Sequence, residues 1–192
     1  MEEDVRSFVA IELPEKLKEE LTQLQARLKS SAPSVKWVGS QGIHITLQFL
    51  GGVPASKLGA ITQAVEKAAV GIPPLRLEVK GLGVFPNLRR VRVIWVGLTG
   101  ELEPLQQLQK RIEVNLSPLG FKPEGRQFTP HLTLGRVREN ATPLEREKLG
   151  QLVAGVKFDA VTPINAKSVS LMRSQLTSEG AVYSSISIIS FK

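Results

Sequence analysis

The sequence predicts an α+β fold, and three observations carry that reading. Several strand-like segments follow one another with no helix between them, so antiparallel pairing is expected. The order helix, strands, helix recurs around two similar segments, I-H-I-T-L-Q-F at Ile43–Phe49 and P-H-L-T-L-G-R at Pro130–Arg136, which points to two similar lobes facing each other. No low-complexity linker divides the 192 residues, so residues 1–192 read as a single two-lobed domain.

The elements follow in order. Val5 to Leu13 alternates and reads as a strand. Pro14 starts a helix that carries Leu17, Leu21, Leu24 and Leu28 at helical spacing. Ser34 to Val38 is a short strand, Gly39 to Gly42 a turn, and Ile43 to Leu50 a strand ended by Gly51-Gly52. A second helix spans Ala55 to Val70 and stops at Gly71 and Pro73-Pro74. Leu75 to Lys80 is a half-exposed strand, Gly81 to Arg89 a loop, and Arg90 to Leu98 the next strand. The third helix, Glu101 to Leu116, leads through a loop at Ser117–Arg126 to a strand at Phe128–Val137. Thr142 caps a fourth helix that opens on Pro143. The tail from Lys157 to Lys192 reads as three strands, with turns near Pro163–Asn165 and Thr177–Gly180.

Composition excludes several chemistries. The chain has no cysteine, which removes disulfides, thiolate zinc sites and a cysteine nucleophile. Two histidines with no paired acidic motif beside them argue against a histidine-rich metal site; no metal and no cofactor are expected. Apolar residues make up 42%, enough for a real core, yet no run reaches membrane-span length. The start M-E-E-D-V-R lacks a basic-then-apolar signal layout, so a cytoplasmic protein is expected, and a monomer. A net charge of +7 favours polyanionic partners such as nucleic acid or phosphorylated ligands; a solvated basic surface is the plainer alternative.

Both histidines of the chain lie in the frame His-apolar-Thr-Leu. Successive strand side chains point to opposite faces, so His44 and Thr46 share one face, as do His131 and Thr133. Two such strands across a cleft supply two imidazoles and two hydroxyls. That set suits a phosphate ester. Histidine titrates closest to neutrality, so a pair can act as base and acid on opposite sides of phosphorus without a metal. Thr46 and Thr133 can hydrogen-bond non-bridging oxygens, and Arg136, five residues after His131, can add a charge-assisted contact or stack on a base.

These residues resemble the two-histidine phosphoesterase superfamily, defined by paired H-x-T/S-x motifs. Within it the chain is similar to the RNA 2′,3′-cyclic phosphodiesterases, also called 2′-5′ RNA ligase-like proteins. The similarity runs through R-S-F-V-A-I at Arg6–Ile11, V-K-W-V at Val35–Val38, H-I-T-L-Q-F-L-G at His44–Gly51, G-V-F-P-N at Gly83–Asn87, R-V-I-W-V-G at Arg92–Gly97 and F-T-P-H-L-T-L-G-R at Phe128–Arg136. It implies two pseudo-symmetric lobes whose antiparallel sheets face a central groove, with helices outside. It implies metal-independent hydrolysis of RNA ends or nucleotides bearing a 2′,3′-cyclic phosphate to 2′-phosphomonoesters. The same chemistry in reverse joins RNA ends through a 2′-5′ linkage. The resemblance carries catalysis to His44 and His131, phosphate contact to Thr46, Thr133 and Arg136, and base contact to Phe49. His131 as the residue activating water and His44 as the acid is the working assignment, although the symmetric motifs allow the swap. A small cyclic nucleotide substrate and a non-catalytic RNA-end binder are the alternatives.

Several other residues invite a role and have a plainer reading. Arg89, Arg90 and Arg92 can track an RNA backbone or form a solvated edge. Lys122 and Arg126 can guide phosphates. Trp37 and Trp95 read as core, and Phe85 as groove lining or loop anchor. Gly83 and Gly135 read as backbone requirements, and Arg6 is assigned no catalytic role.

Overall fold

Alternating apolar and polar positions form nine strands in the computed structural model, which describes residues 4–125, 127–178 and 180–191. They are β1 (Asp4–Ile11), β2 (Val35–Trp37), β3 (Ile45–Pro54), β4 (Leu75–Phe85), β5 (Val93–Gly100), β6 (His131–Val137), β7 (Ile164–Ala166), β8 (Ser168–Thr177) and β9 (Gly180–Ser190). The α-helices among these residues are α1 (Glu15–Lys29), α2 (Leu58–Ala69), α3 (Leu102–Leu116) and α4 (Pro143–Ala154). In α1 the predicted stripe of Leu17, Leu21, Leu24 and Leu28 is buried, because leucines at that spacing share one face. α4 starts at the predicted cap. The Thr142 hydroxyl accepts from the Glu145 N–H, and the Glu145 carboxylate accepts from the Thr142 N–H.

The strands form two antiparallel sheets, ordered β3-β1-β8-β9 and β2-β6-β5-β4-β7. Helices α2 and α3 are tied to the first sheet, α2 through hydroxyls of Thr62 and Ser187 3.1 Å apart. Helices α1 and α4 are tied to the second, α4 through the Arg146 guanidinium, which donates to the Val91 carbonyl at 2.8 Å. The expected α+β architecture is therefore present, with helices outside and two sheets flanking a groove. The lobes do not coincide with the halves of the sequence. β2 and β3 are consecutive yet belong to different sheets. β4 follows the first histidine strand and joins the second sheet, while β8 and β9 follow the second histidine strand and join the first.

Several expected boundaries move. His44 lies just ahead of β3 rather than within it, after a 3-10 turn at Ser40–Gly42. Gly51-Gly52 does not end the strand; it pairs with Ser7 and Arg6, and β3 continues to Pro54. β4 runs on to Phe85 where a loop was expected, because the register skips a residue at Gly81, whose φ of 74° suits glycine. Phe128–Pro130 stays outside β6, since Pro130 has no N–H to give a ladder. The turn expected at Pro163–Asn165 gives way to β7, which pairs with β4. Among the described residues no helix is long and apolar enough to cross a membrane.

Candidate active site

Between the sheets lies a groove of about 900 Å³. His44, Thr46, Phe49, His131, Thr133 and Arg136 all line it. The pleat does part of this work. Ile45, Leu47, Leu132 and Leu134 turn into the core, and the histidines and threonines between them turn to the groove.

The pleat alone would put the fourth residue after each histidine on the groove side, not the fifth. A β-bulge at the same place in both motifs changes the phase. In β3, Thr46 opposes Ala10 and Gln48 opposes Val9, which leaves Leu47 as the extra residue. In β6, Thr133 opposes Trp95 and Gly135 opposes Ile94, which leaves Leu134 as the extra residue. Beyond the bulge the faces exchange. Gln48 and Gly135 are buried, while Phe49 and Arg136 face out and line the groove. The matched positions of Phe49 and Arg136 therefore have a structural cause. Arg136 is exposed and makes no ion pair with another described residue.

The two imidazoles sit in different surroundings. His44 stacks on Phe8 at a centroid distance of 4.6 Å, and Tyr183 packs edge-on at 5.4 Å. Burial pushes His44 down to about 4; Glu12 pulls it up and Lys18 lowers it further. Glu12 is held on the same side of the sheet by the hydroxyls of Ser170 and Ser185, which donate to it at 2.8 and 3.0 Å. His131 meets Phe85 edge-on at 5.0 Å and Trp95 at 6.2 Å. Its Nδ1 lies 2.7 Å from the Thr129 carbonyl. A carbonyl oxygen only accepts, so Nδ1 carries the proton, and the neutral ring keeps the lone pair on Nε2.

The remaining candidates divide. Phe85 and Pro86 line the groove. Trp95 is half-buried on the same face as His131 and covers Gly83, where a Cβ would fall 2.2 Å from its ring. That close approach explains Gly83, and a Cβ on Gly135 would meet Val35 at 2.6 Å. Trp37 packs against the core. Arg89 and Arg90 are exposed in a turn in which Asn87 Oδ1 accepts from both of their N–H groups. They border a separate hollow of about 630 Å³ that has Trp95 on its wall. Arg92 and Lys122 are exposed and outside the groove lining, and Arg126 lies outside the described residues. Arg6 lines the groove, as do Phe8 and Tyr183, which sequence reasoning did not single out. The alternation of R-S-F-V-A-I was a signal for Phe8, since it sets Arg6, Phe8 and Ala10 on one face. Among the described residues no three His, Cys, Asp or Glu side chains converge as metal ligands do.

The chain is similar to known proteins along most of its length. The family model of LigT-like phosphoesterases matches twice in tandem, at residues 11–95 and 96–183. An RNA 2′,3′-cyclic phosphodiesterase of Methanothermobacter thermautotrophicus is 36% identical over 184 residues, covering 96% of this chain and 97% of that protein. A protein of the same name from Methanocaldococcus jannaschii is 36% identical over 181 residues, covering 93% of this chain and 96% of that protein. Among solved structures, a Thermus thermophilus protein superposes with a TM-score of 0.79 at 27% identity over 97% of both chains. E. coli LigT complexed with 3′-AMP shares the fold, with a TM-score of 0.80 at 23% identity over 99% of both chains.

Proposed function

The chain belongs to the LigT-like phosphoesterase family, and on that premise we propose that it hydrolyses 2′,3′-cyclic phosphate ends of RNA with His44 and His131 as its acid–base pair. One observation carries the site assignment: the only two histidines of the chain line one groove, each with its motif threonine on the same wall.

In the proposed reaction the Nε2 lone pair of His131 takes a proton from water, and the oxygen attacks phosphorus. The bond from phosphorus to O3′ breaks. His44 gives its proton to O3′, and a 2′-phosphomonoester remains. A group held near 4 is a strong acid once protonated, and the negative charge of a bound phosphate favours that protonation. Thr46 and Thr133 donate to the non-bridging oxygens, Arg136 adds a charge-assisted contact, and Phe49 offers a face for the base. A 5′-hydroxyl of a second RNA in the place of water yields a 2′-5′ linkage by the same steps.

The test is cleavage of a short RNA ending in a 2′,3′-cyclic phosphate, with EDTA present. Wild type forms a 2′-phosphate, and His44→Ala or His131→Ala slows it by about a hundredfold or more. A substrate with sulfur in place of O3′ separates the roles, because a thiolate leaves without a proton. His44→Ala recovers on that substrate and His131→Ala does not. The reverse pattern would exchange the two roles, and full activity of either variant would end the paired scheme.

A further inference from the structure

Two buried glutamines on different helices make the same approach to the two histidine motifs. Gln25 on α1 is 2% exposed and Gln109 on α3 is 7% exposed. The Nε2 of Gln25 donates to the Leu134 carbonyl at 2.9 Å and to the Val38 carbonyl at 2.8 Å. The Nε2 of Gln109 donates to the Leu47 carbonyl at 3.5 Å. Leu134 and Leu47 are the two bulged residues, each directly after its motif threonine. The wiring is crossed. α1 precedes the first motif but reaches the second, and α3 precedes the second but reaches the first.

The sequence around them is duplicated as well. L-T-Q-L-Q-A-R-L at Leu21–Leu28 matches L-Q-Q-L-Q-K-R-I at Leu105–Ile112, with Gln25 and Gln109 in the same place. A buried amide within a leucine stripe is unfavourable unless its donors are used. An apolar side chain would serve packing equally well. The amide adds direction, since it fixes where a bulge carbonyl lies. The bulge in turn sets which residues of each motif face the groove. The two motifs are not held alike. The Leu134 carbonyl also accepts from the Val38 N–H at 2.9 Å, whereas β3 is an edge strand and has no such neighbour among the described residues.

We infer that Gln25 and Gln109 are matched positioning residues that seat the bulges at Leu134 and Leu47 and so hold each histidine–threonine pair toward the phosphate. The inference rests on the histidine roles proposed above. Gln25→Met and Gln109→Met keep length and apolar packing and remove the donors. The measurements are kcat and KM on a nucleoside 2′,3′-cyclic phosphate, thermal melting, and the ring-proton NMR signals of the two histidines. The expected result is a fall in kcat of about tenfold to a hundredfold with little change in KM. The His131 signal moves most in Gln25→Met, and the His44 signal moves most in Gln109→Met. Gln25→Glu, which sets an acceptor against the carbonyls, loses more than Gln25→Met. Folded variants that keep kcat within twofold would overturn the inference. So would equal movement of both signals in both variants together with a lower melting temperature, because that is general packing. If wild type turns over no cyclic phosphate, the functional reading fails and the NMR signals alone decide the role of the glutamines.

Discussion

The imidazole of His44 lies on the ring of Phe8, with centroids 4.6 Å apart and planes 24° apart. Phe8 is itself buried, in a small cluster with Ala10 and Met172 on the groove side of the first sheet. Phe8→Ala admits water to His44. The expected outcome is a titration midpoint that climbs from about 4 toward the ordinary 6.5. NMR titration reads this cleanly, because the chain has only two histidines. An unmoved midpoint would assign the shift to other groups. The cavity left behind costs about 3 kcal/mol of stability.

Stability should depend on His44 at mildly acidic pH. Its folded value, about 4, lies below the unfolded 6.5, so the unfolded chain takes up this proton first as pH falls. The contribution is complete above 6.5 and drains away as pH drops toward 4. Its full size is about 2 to 3 kcal/mol after allowance for partial exposure. His44→Phe removes the effect. Chemical denaturation at pH 7 and pH 5 checks it: wild type loses more stability across the interval than the variant does. The Glu145 carboxylate, held down from 4.5 to about 2 by Ser34 and Thr142, loses its contribution between those values, below the pH 7 to pH 5 interval.

Gly83→Ala tests the wall behind His131. The added methyl overlaps the Trp95 ring, which moves against Phe85 and His131. The expected result is a loss of about 1 to 3 kcal/mol and a reduced kcat. Tryptophan fluorescence reports the displaced ring. A variant with normal fluorescence and normal turnover would show that Trp95 does not support the histidine.

Arg136 and the Arg89–Arg90 turn should separate by substrate length. Arg136→Ala, which removes a charge from the groove, raises KM about tenfold on both a cyclic mononucleotide and an RNA oligonucleotide. The double variant Arg89→Ala/Arg90→Ala leaves the mononucleotide untouched. If RNA passes over the hollow beside Trp95, the oligonucleotide loses affinity and the salt dependence of its binding falls by about one to two in log–log slope. An unchanged oligonucleotide KM and salt slope would make the turn a solvated edge.

Much of this was legible in the chain itself. The leucine stripe of α1, the Thr142 cap and the inward leucines of both motifs are local patterns, and local patterns survive in a single sequence. The partner of each strand is not local. Nothing in Val35–Trp37 says that it pairs with Gly135–Val137 rather than with the strand that follows it. The bulges at Leu47 and Leu134 were hidden for the same reason, since a bulge exists only relative to a partner strand. Tyr183 escaped notice because its tie to His44 spans most of the chain.

That exchange of strands between the sheets bears on how the enzyme is made. β1 precedes both histidine motifs in the chain, and its neighbour β8 follows both. The wall that carries His44 therefore stays unfinished until β8 has been made, although its histidine strand is synthesised well before. A nascent chain stalled after β6 holds both histidines and no completed groove. The groove is complete only once the strands beyond the second motif have joined the first sheet.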